Sequence, residues 1–359
     1  MKSLVPNQSL LLLALVAGSV AAQQQPKPAT PVDPIAGIVD AFKTHQIVAI
    51  SDAHGNEQNQ AFIKALIRDP KFAATVNDIV IEFGNARYQS LVDRYVRGEK
   101  VSEDSLRLVW QNTTVANEIS VDPQFFSVVR SVSATLPRER QSRVLLGDPP
   151  IDWSAVQNRD DHFKWLAMRD SHPAALIVLE VLAKQRRALL VYGHLHFQRK
   201  NVFSNLDMHD WRMQTIVSLI ESATPTRIFS IWQIGDELKT AQPDVATWKV
   251  PSLAIIRGTA LGPADITVFT PAPMRMAFDG DKRVPVPREQ WRKLRAEDQF
   301  DAVLYLGPSS AMTQMPLSPR ICSDRRYIEE RLRRIALTGI PPVEAERVKK
   351  LCSREGGSA

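Results

Sequence analysis

Short runs of β-branched and aliphatic residues recur along the chain, separated by longer and more polar segments. They read "QIVAI", "NDIVIEF", "SRVLLGD", "RALLVYG", "QTIVSLI", "TRIFSIWQI", "SLAIIRG" and "DAVLYLG", and each predicts a strand. Apolar at successive rather than alternate positions, such strands belong in a sheet covered on both faces. Helix-length segments between them imply parallel crossovers. The pattern therefore predicts an α/β fold, a mostly parallel central sheet with helices on both faces.

Between the strands, "EQNQAFIKALIRD" places Phe62, Ala65 and Leu66 on one helical face. The stretch from Asn85 to Arg143 holds no convincing strand, and "ARYQSLVDRYVRG" and "PQFFSVVRSVSATL" predict helices there. We read it as a helical insertion around 86–140 within an α/β domain spanning 35–310. In "NRDDHFKWLAMRDSHPAALIVLEVLAKQRR", Pro173 suits the first turn of a second helix, which Asp170 or Ser171 can cap. Residues 311–359 form a helical C-terminal tail in which "SDRRYIEERLRR" and "EAERVKK" predict two solvated helices.

At the N-terminus a basic residue precedes an apolar run from Leu10 to Val20, with small residues at Val20 and Ala22 that suit signal-peptidase cleavage. A signal peptide over 1–22 and a Pro/Gln-rich linker over 23–34 are expected, and with them export to the periplasm or the extracellular space. An uncleaved anchor is the alternative. The apolar run is shorter than the roughly 20 residues that a span requires, and no later segment is long enough, so no transmembrane segment is expected in the mature chain. Two cysteines in an exported chain, Cys322 and Cys352, point to a disulfide. In the chain-entropy model a loop of about 30 residues is worth about 3.5 kcal/mol. Neither cysteine has a nearby histidine or a CxxC partner, which favours that structural role over redox chemistry.

The 359 residues are 44% hydrophobic and 23% charged, with a formal charge of +6. That is an ordinary globular composition. The basic residues are interrupted by Glu and lack interleaved aromatics, so no nucleic-acid partner is expected. A small-molecule ligand or substrate is.

Candidate chemistry gathers where ligands bind in open parallel sheets, beyond the carboxyl ends of the strands. "IVAI" is followed by Asp52 and His54, "IVI" by Glu82, "VLLG" by Asp148, and "LLVYG" by His194 and His196. Polar residues are common in such loops because loops lie at the surface. Their recurrence at equivalent places is what suggests a site. Glu82, inside "IVIEFGN", is the sharpest case, because a carboxylate drawn into a sheet is costly unless paired or neutralised. Its bland reading is a buried ion pair with Arg169 or Arg87; its sharper reading is an acid or base with a shifted pKa. His54 precedes Gly55, where the chain can turn tightly. His45, His162 and His209 read as surface groups, and His172 as a helix-start residue. No GxSxG elbow, GxxxxGK[ST] loop, GxGxxG or HExxH is present, which removes support for serine-hydrolase, nucleotide-hydrolysing, hydride-transfer and zincin chemistry.

"SDAHGN", the Gly147-Asp148 pair and "GHLH" resemble parts of the calcineurin-like metallophosphoesterases. That resemblance implies Asp52, His54, Asp148, His194 and His196 as ligands of two divalent metals, but the family's central Gly-Asn-His-Asp/Glu element has no counterpart here. A second resemblance is to the erythromycin esterase-like, ChaN-like haem-binding and Tiki/TraB-like superfamily. It rests on Ser51-Asp52-Ala53-His54-Gly55, then Glu82, then Arg169-Asp170, then Gly193-His194-Leu195-His196, in that order, with Ser51-Asp52 in place of the usual Gly-Glu. It implies an exported hydrolase-like protein acting on an ester or amide. His54 would be the general base and Glu82 would orient or share its proton. Arg169 would stabilise developing negative charge, and His196 would assist as acid or ligand, with Asp52, Asp148 and His194 toward the substrate. The ChaN-like branch implies instead a haem- or metal-binding protein using His194, His196 or Tyr192.

Overall fold

The structure is a computed structural model. It describes residues 26–115, 123–200, 210, 212–269, 276–279, 282–285, 287, 293–315, 319–338, 345, 346, 348–350 and 352. The expected signal peptide at 1–22, the first part of the linker, and His209 lie outside the described residues.

Seven strands form the main sheet: β1 (Ile47–Ser51), β2 (Asp78–Asn85), β3 (Arg143–Asp148), β4 (Ala188–Tyr192), β5 (Phe229–Gln233), β6 (Ser252–Ile255) and β9 (Ala302–Tyr305). Their order is β3-β2-β4-β1-β5-β9-β6. All neighbours are parallel except β6, which runs antiparallel to β9. A separate hairpin pairs β7 (Met276–Asp279) with β8 (Lys282–Pro285). The expected α/β architecture with a mostly parallel sheet is what forms.

The successive apolar residues of each strand divide between two cores because side chains alternate across a sheet. Val48, Ile50, Ile79, Ile81 and Val191 face one core. Against them pack α1 (Pro34–Ala41), α2 (Glu57–Arg68), α3 (Pro70–Thr75), α4 (Gln89–Val96), α5 (Glu103–Gln111) and α6 (Gln124–Ser133), which supply Ile38, Phe62, Phe72, Val92, Leu106 and Phe125. Ile47, Ala49, Val80 and Leu190 face the other side, where α8 (Ser171–Ile177) and the helix at Ile216–Ala223 bring Ala174, Ile177, Ile216 and Ile220. A helix over Arg159–Leu166, α7, precedes α8. A third core surrounds Trp232, Phe300 and Tyr305 at the β5-β9-β6 end.

Three expectations need correction. "QTIVSLI" is not a strand but the helix Ile216–Ala223, α9. Thr215 and Ser218 cap its first turn reciprocally, and Ile216, Val217 and Ile220 meet α8 along one face, so capping and packing override β-branched propensity. On α2 the buried face is Phe62, Ile63, Leu66 and Ile67, while Ala65 points outward. The tail helix α11 (Arg325–Thr338) is only partly solvated. Its Arg334 is buried, donating to Gln111 O at 2.8 Å and Asn112 Oδ1 at 2.7 Å and lying over the Trp153 ring. Between α10 (Pro319–Ser323) and the tail end, Cys322 and Cys352 are joined as a disulfide.

One close approach ties three strands together. Tyr192, at the end of β4, is buried and reaches across β2 to Gly147 on β3. A Cβ at position 147 would lie 1.6 Å from the Tyr192 hydroxyl. Only a residue without a side chain leaves room for the phenol there.

The opposite edge of the sheet, where β2 begins, is held by charge. Asp78 is fully buried and accepts from Arg143 Nε at 2.7 Å and from Arg186 Nε at 2.6 Å, linking the starts of β2, β3 and β4. Removing one member of a buried pair strands the others. Because both arginines are partly exposed, Asp78→Ala should cost about 2–3 kcal/mol, whereas Asp40→Ala, which breaks the exposed pair with Lys43, should cost less than about 1 kcal/mol. Urea unfolding of the two variants checks this, and equal losses would contradict it.

Candidate functional site

The four adjacent strands β3, β2, β4 and β1 end side by side. Their carboxyl ends deliver Asp148, Glu82, the Gly193-to-His196 turn and the Asp52-to-Gly55 turn to one cavity of about 530 Å³. Gly55 adopts φ 74°, the left-handed conformation that glycine tolerates, and so lets the chain turn into α2 directly after His54. All seven expected site residues, Asp52, His54, Glu82, Asp148, Arg169, His194 and His196, line this cavity.

His54 is the most exposed member of the cluster, with 42% of its side chain accessible. Its Nδ1 lies 3.1 Å from Oδ2 of Asp52, whose own Oδ1 accepts from Gln60 Nε2 at 2.9 Å. The buried carboxylate fixes the ring so that Nε2 faces the cavity, 3.8 Å from Glu82 Oε1. Burial opposes a charge on His54, but the Asp52 hydrogen bond and the Glu82 and Asp52 charges outweigh it and raise its pKa.

Glu82 is the hub. Its Oε1 accepts from Arg169 and lies 3.4 Å from His196 Nε2, while its Oε2 accepts from the Gly193 N–H at 2.7 Å. Burial alone would raise its pKa, yet the His196 and Arg169 charges hold it well below the usual carboxylate range. Of the two arginines that could have paired with it, Arg169 does; Arg87 pairs with Asp152 at 3.0 Å.

His196 is held from both sides. Its Nδ1 lies 2.8 Å from Asp170 Oδ1, which also accepts from the Ile216 N–H. Burial disfavours its charge, but Asp170 and Glu82 lift its pKa to about 10. Such an imidazole stays cationic at neutral pH and has no free nitrogen for a metal. His194 is the opposite case, lowered to about 4 by burial and by the charges of His196 and His54. It is neutral, its ring tilts against Trp232 with centroids 5.1 Å apart, and it enters no hydrogen bond among the described residues.

Asp148 accepts from Thr114 N at 2.8 Å and Thr114 Oγ1 at 2.5 Å, with Arg169 Nε at 3.9 Å. Burial dominates over Arg169 and Thr114 and pushes its pKa up to about 7. It is half-neutral near pH 7 and its oxygens are engaged, which suits anchoring the Thr113-to-Val115 segment of the cavity wall.

The two-metal arrangement does not fit these residues. Among the described residues no three His, Cys, Asp or Glu side chains converge as a metal site. The acids are already bonded to Gln60, Thr114, Arg169 and His196, and the Arg169 guanidinium stands between Glu82 and Asp148. Of the three residues expected as iron ligands, His196 is committed on both nitrogens and Tyr192 is buried beneath Gly147, which leaves His194 with a donor atom to offer.

Several partners were not anticipated. Asp170, expected as a helix cap, makes no cap bond and holds His196 instead. His162 is not at the surface but 7% exposed, with Nε2 2.9 Å from Thr114 O and its ring stacked on Trp153. Gln60, Thr114 and Trp232 reach the site from a helix, a loop and the middle of a strand, where nothing local marks them. The proximity of Asp170 to Arg169 in a turn was the one signal available.

No family model matches the sequence, and no curated protein matches it significantly. Among solved structures, an erythromycin esterase in its open conformation is similar at 11% identity and a TM-score of 0.48, over 79% of this chain and 94% of that one. A protein from Bacillus cereus is similar at 9% identity and a TM-score of 0.47, over 81% and 97%. ChaN of Campylobacter jejuni, with haem bound cofacially, is similar at 12% identity and a TM-score of 0.35, over 56% and 86%.

Proposed function

We propose that the chain is an exported hydrolase that attacks an uncharged ester or amide with water activated by His54. The observation that carries this reading is the Asp52-His54 pair. A buried carboxylate fixes one ring nitrogen and leaves the other facing a cavity, which is the geometry of a general base. Water held at Nε2 loses its proton to His54 as it adds to the carbonyl carbon. The negative charge that forms on the carbonyl oxygen meets the Arg169 and His196 cations, whose positions are preset by Glu82, Asp148 and Asp170 and need no reorganisation. Collapse of the tetrahedral intermediate returns the proton from His54 to the leaving group.

Glu82 keeps those two cations from repelling each other and stands within reach of His54. A cavity that also presents Phe83, Trp110, Trp232, Phe269 and Met312 suits a ligand with substantial apolar surface. A second reading, haem binding, is favoured only by the neutral His194 ring at the cavity wall. Haem titration followed by absorbance tests it: a spectral shift abolished by His194→Ala supports that reading, and its absence removes it.

Outcomes for three variants and a pH–rate profile are expected of the hydrolase. His54→Ala should lower kcat on a chromogenic ester by at least about 100-fold, the low end for losing a general base, with an unchanged circular dichroism spectrum; undiminished turnover sinks the mechanism. Since the base works deprotonated and its pKa is raised, kcat/KM should climb with pH through a midpoint above the ordinary imidazole value of about 6.5. Asp52→Asn should move that midpoint down, because it removes the charge that favours imidazolium, and a pH–rate profile that stays in place would remove Asp52 from this role. Glu82→Gln should lower kcat/KM by weakening the hold on Arg169 and His196. It should also bring the His196 pKa down from about 10, measurable by NMR titration of the ring.

A further inference from the structure

The β5 side of the cavity holds a polar group that the hydrolytic mechanism does not use. Gln233 ends β5, beside β1. Its backbone N–H donates to Ser51 Oγ at 2.6 Å, and its side chain is oriented by a relay that starts from an unambiguous acceptor. The Ser51 carbonyl can only accept, so the Asn59 side-chain atom 3.1 Å from it is Nδ2. That same Nδ2 lies 2.6 Å from the Gln233 side chain, which must therefore present Oε1 to it. Nε2, with its two hydrogens, is left on the other side, where the contact is the Met312 sulfur at 3.9 Å, a weak acceptor. Asn59 is fully buried, which locks this orientation. Beside Nε2 the wall is the Met312 side chain, and Trp232, Ile234 and Phe269 line the same cavity.

Strand order gives this donor a direction. β1, which carries His54, lies between β4 and β5. Arg169, Glu82 and His196 stand on the β4 side of His54, and Gln233 stands on the β5 side. A substrate whose reacting carbonyl faces Arg169 and His196 extends its remaining part across β1 toward Gln233. We propose that Gln233 is a specificity-determining residue: it selects uncharged substrates that carry a second acceptor oxygen, a ketone, ether or hydroxyl, on the part remote from the scissile bond. The carboxylate that lines the cavity beyond β5 is Glu237, and Arg169 and His196 stand on the β4 side, so an anionic group in that place meets no positive charge among the described lining residues. The direction of extension rests on the hydrolytic reading; the amide donor in the wall does not.

The test separates the two. Hexanoanilide and its 3-, 4- and 5-oxo derivatives are titrated calorimetrically into the His54→Ala protein, in which hydrolysis is suppressed, and into the same protein carrying Gln233→Met, close in size but without the donors. At least one oxo isomer should bind about 5- to 10-fold more tightly than hexanoanilide, the factor one net hydrogen bond confers, and Gln233→Met should abolish that preference. Asn59→Leu, which frees the amide to rotate, should reduce it as well, with thermal melting used to confirm folding. Equal or absent binding of the series, or a preference that survives Gln233→Met, overturns the proposal. The matching 4-nitrophenyl esters are then assayed with the wild-type protein. No turnover alongside an intact binding preference would defeat the hydrolase and leave the Gln233 assignment standing.

Discussion

A carboxylate placed inside a sheet must be answered by positive charge, and the arrangement of this cavity follows from how Glu82 is answered. Left alone at the end of β2, it would take up a proton. Instead Arg169, His196 and the Gly193 N–H close around it. Those groups come from the α7-to-α8 turn and from the turn after β4, so one buried charge fixes the relative positions of two loops that the backbone alone would leave adjustable. Each cation then requires a partner of its own. Asp170 attends to His196, Asp148 stands near Arg169, and Thr114 attends to Asp148. The network is a chain of compensations in which each member is needed because of the one before it.

This explains the division between the two histidines of "GHLH". They are two residues apart, on a single turn, yet one is driven to about 10 and the other to about 4. His196 faces the acids and is held as a cation. His194 faces Trp232 and feels that cation as a neighbour. His54 is raised against its burial by the hydrogen bond to Asp52 and by the charges of Glu82 and Asp52, while its other nitrogen remains open to the cavity.

Much of the fold was legible because apolar runs that do not alternate leave few alternatives to a covered sheet. Each of the seven strands of the main sheet overlaps a predicted run, with β1 and β2 extending one and two residues past theirs. "QTIVSLI" misled because β-branched residues favour strands in isolation, while the Thr215 and Ser218 caps that decide the matter depend on geometry. The candidate site was legible to the extent that strand ends announce themselves, so Asp52, His54, Glu82, Asp148, His194 and His196 could be named together. Their roles were less so. Whether Arg87 or Arg169 answers Glu82, whether Asp170 caps a helix or holds an imidazole, and whether His162 is inside or outside all depend on which loops meet in space.

The close approach of Tyr192 to Gly147 carries an implication for how this sequence can change over generations. A side chain at 147 and a phenol at 192 cannot coexist, since they would occupy the same volume. A lineage that gains a side chain on β3 must first have shortened the residue at the end of β4, two positions before His194. The two sites should therefore drift together, with the order of substitutions constrained to one direction, and the end of that pair that cannot change first is Gly147 on β3.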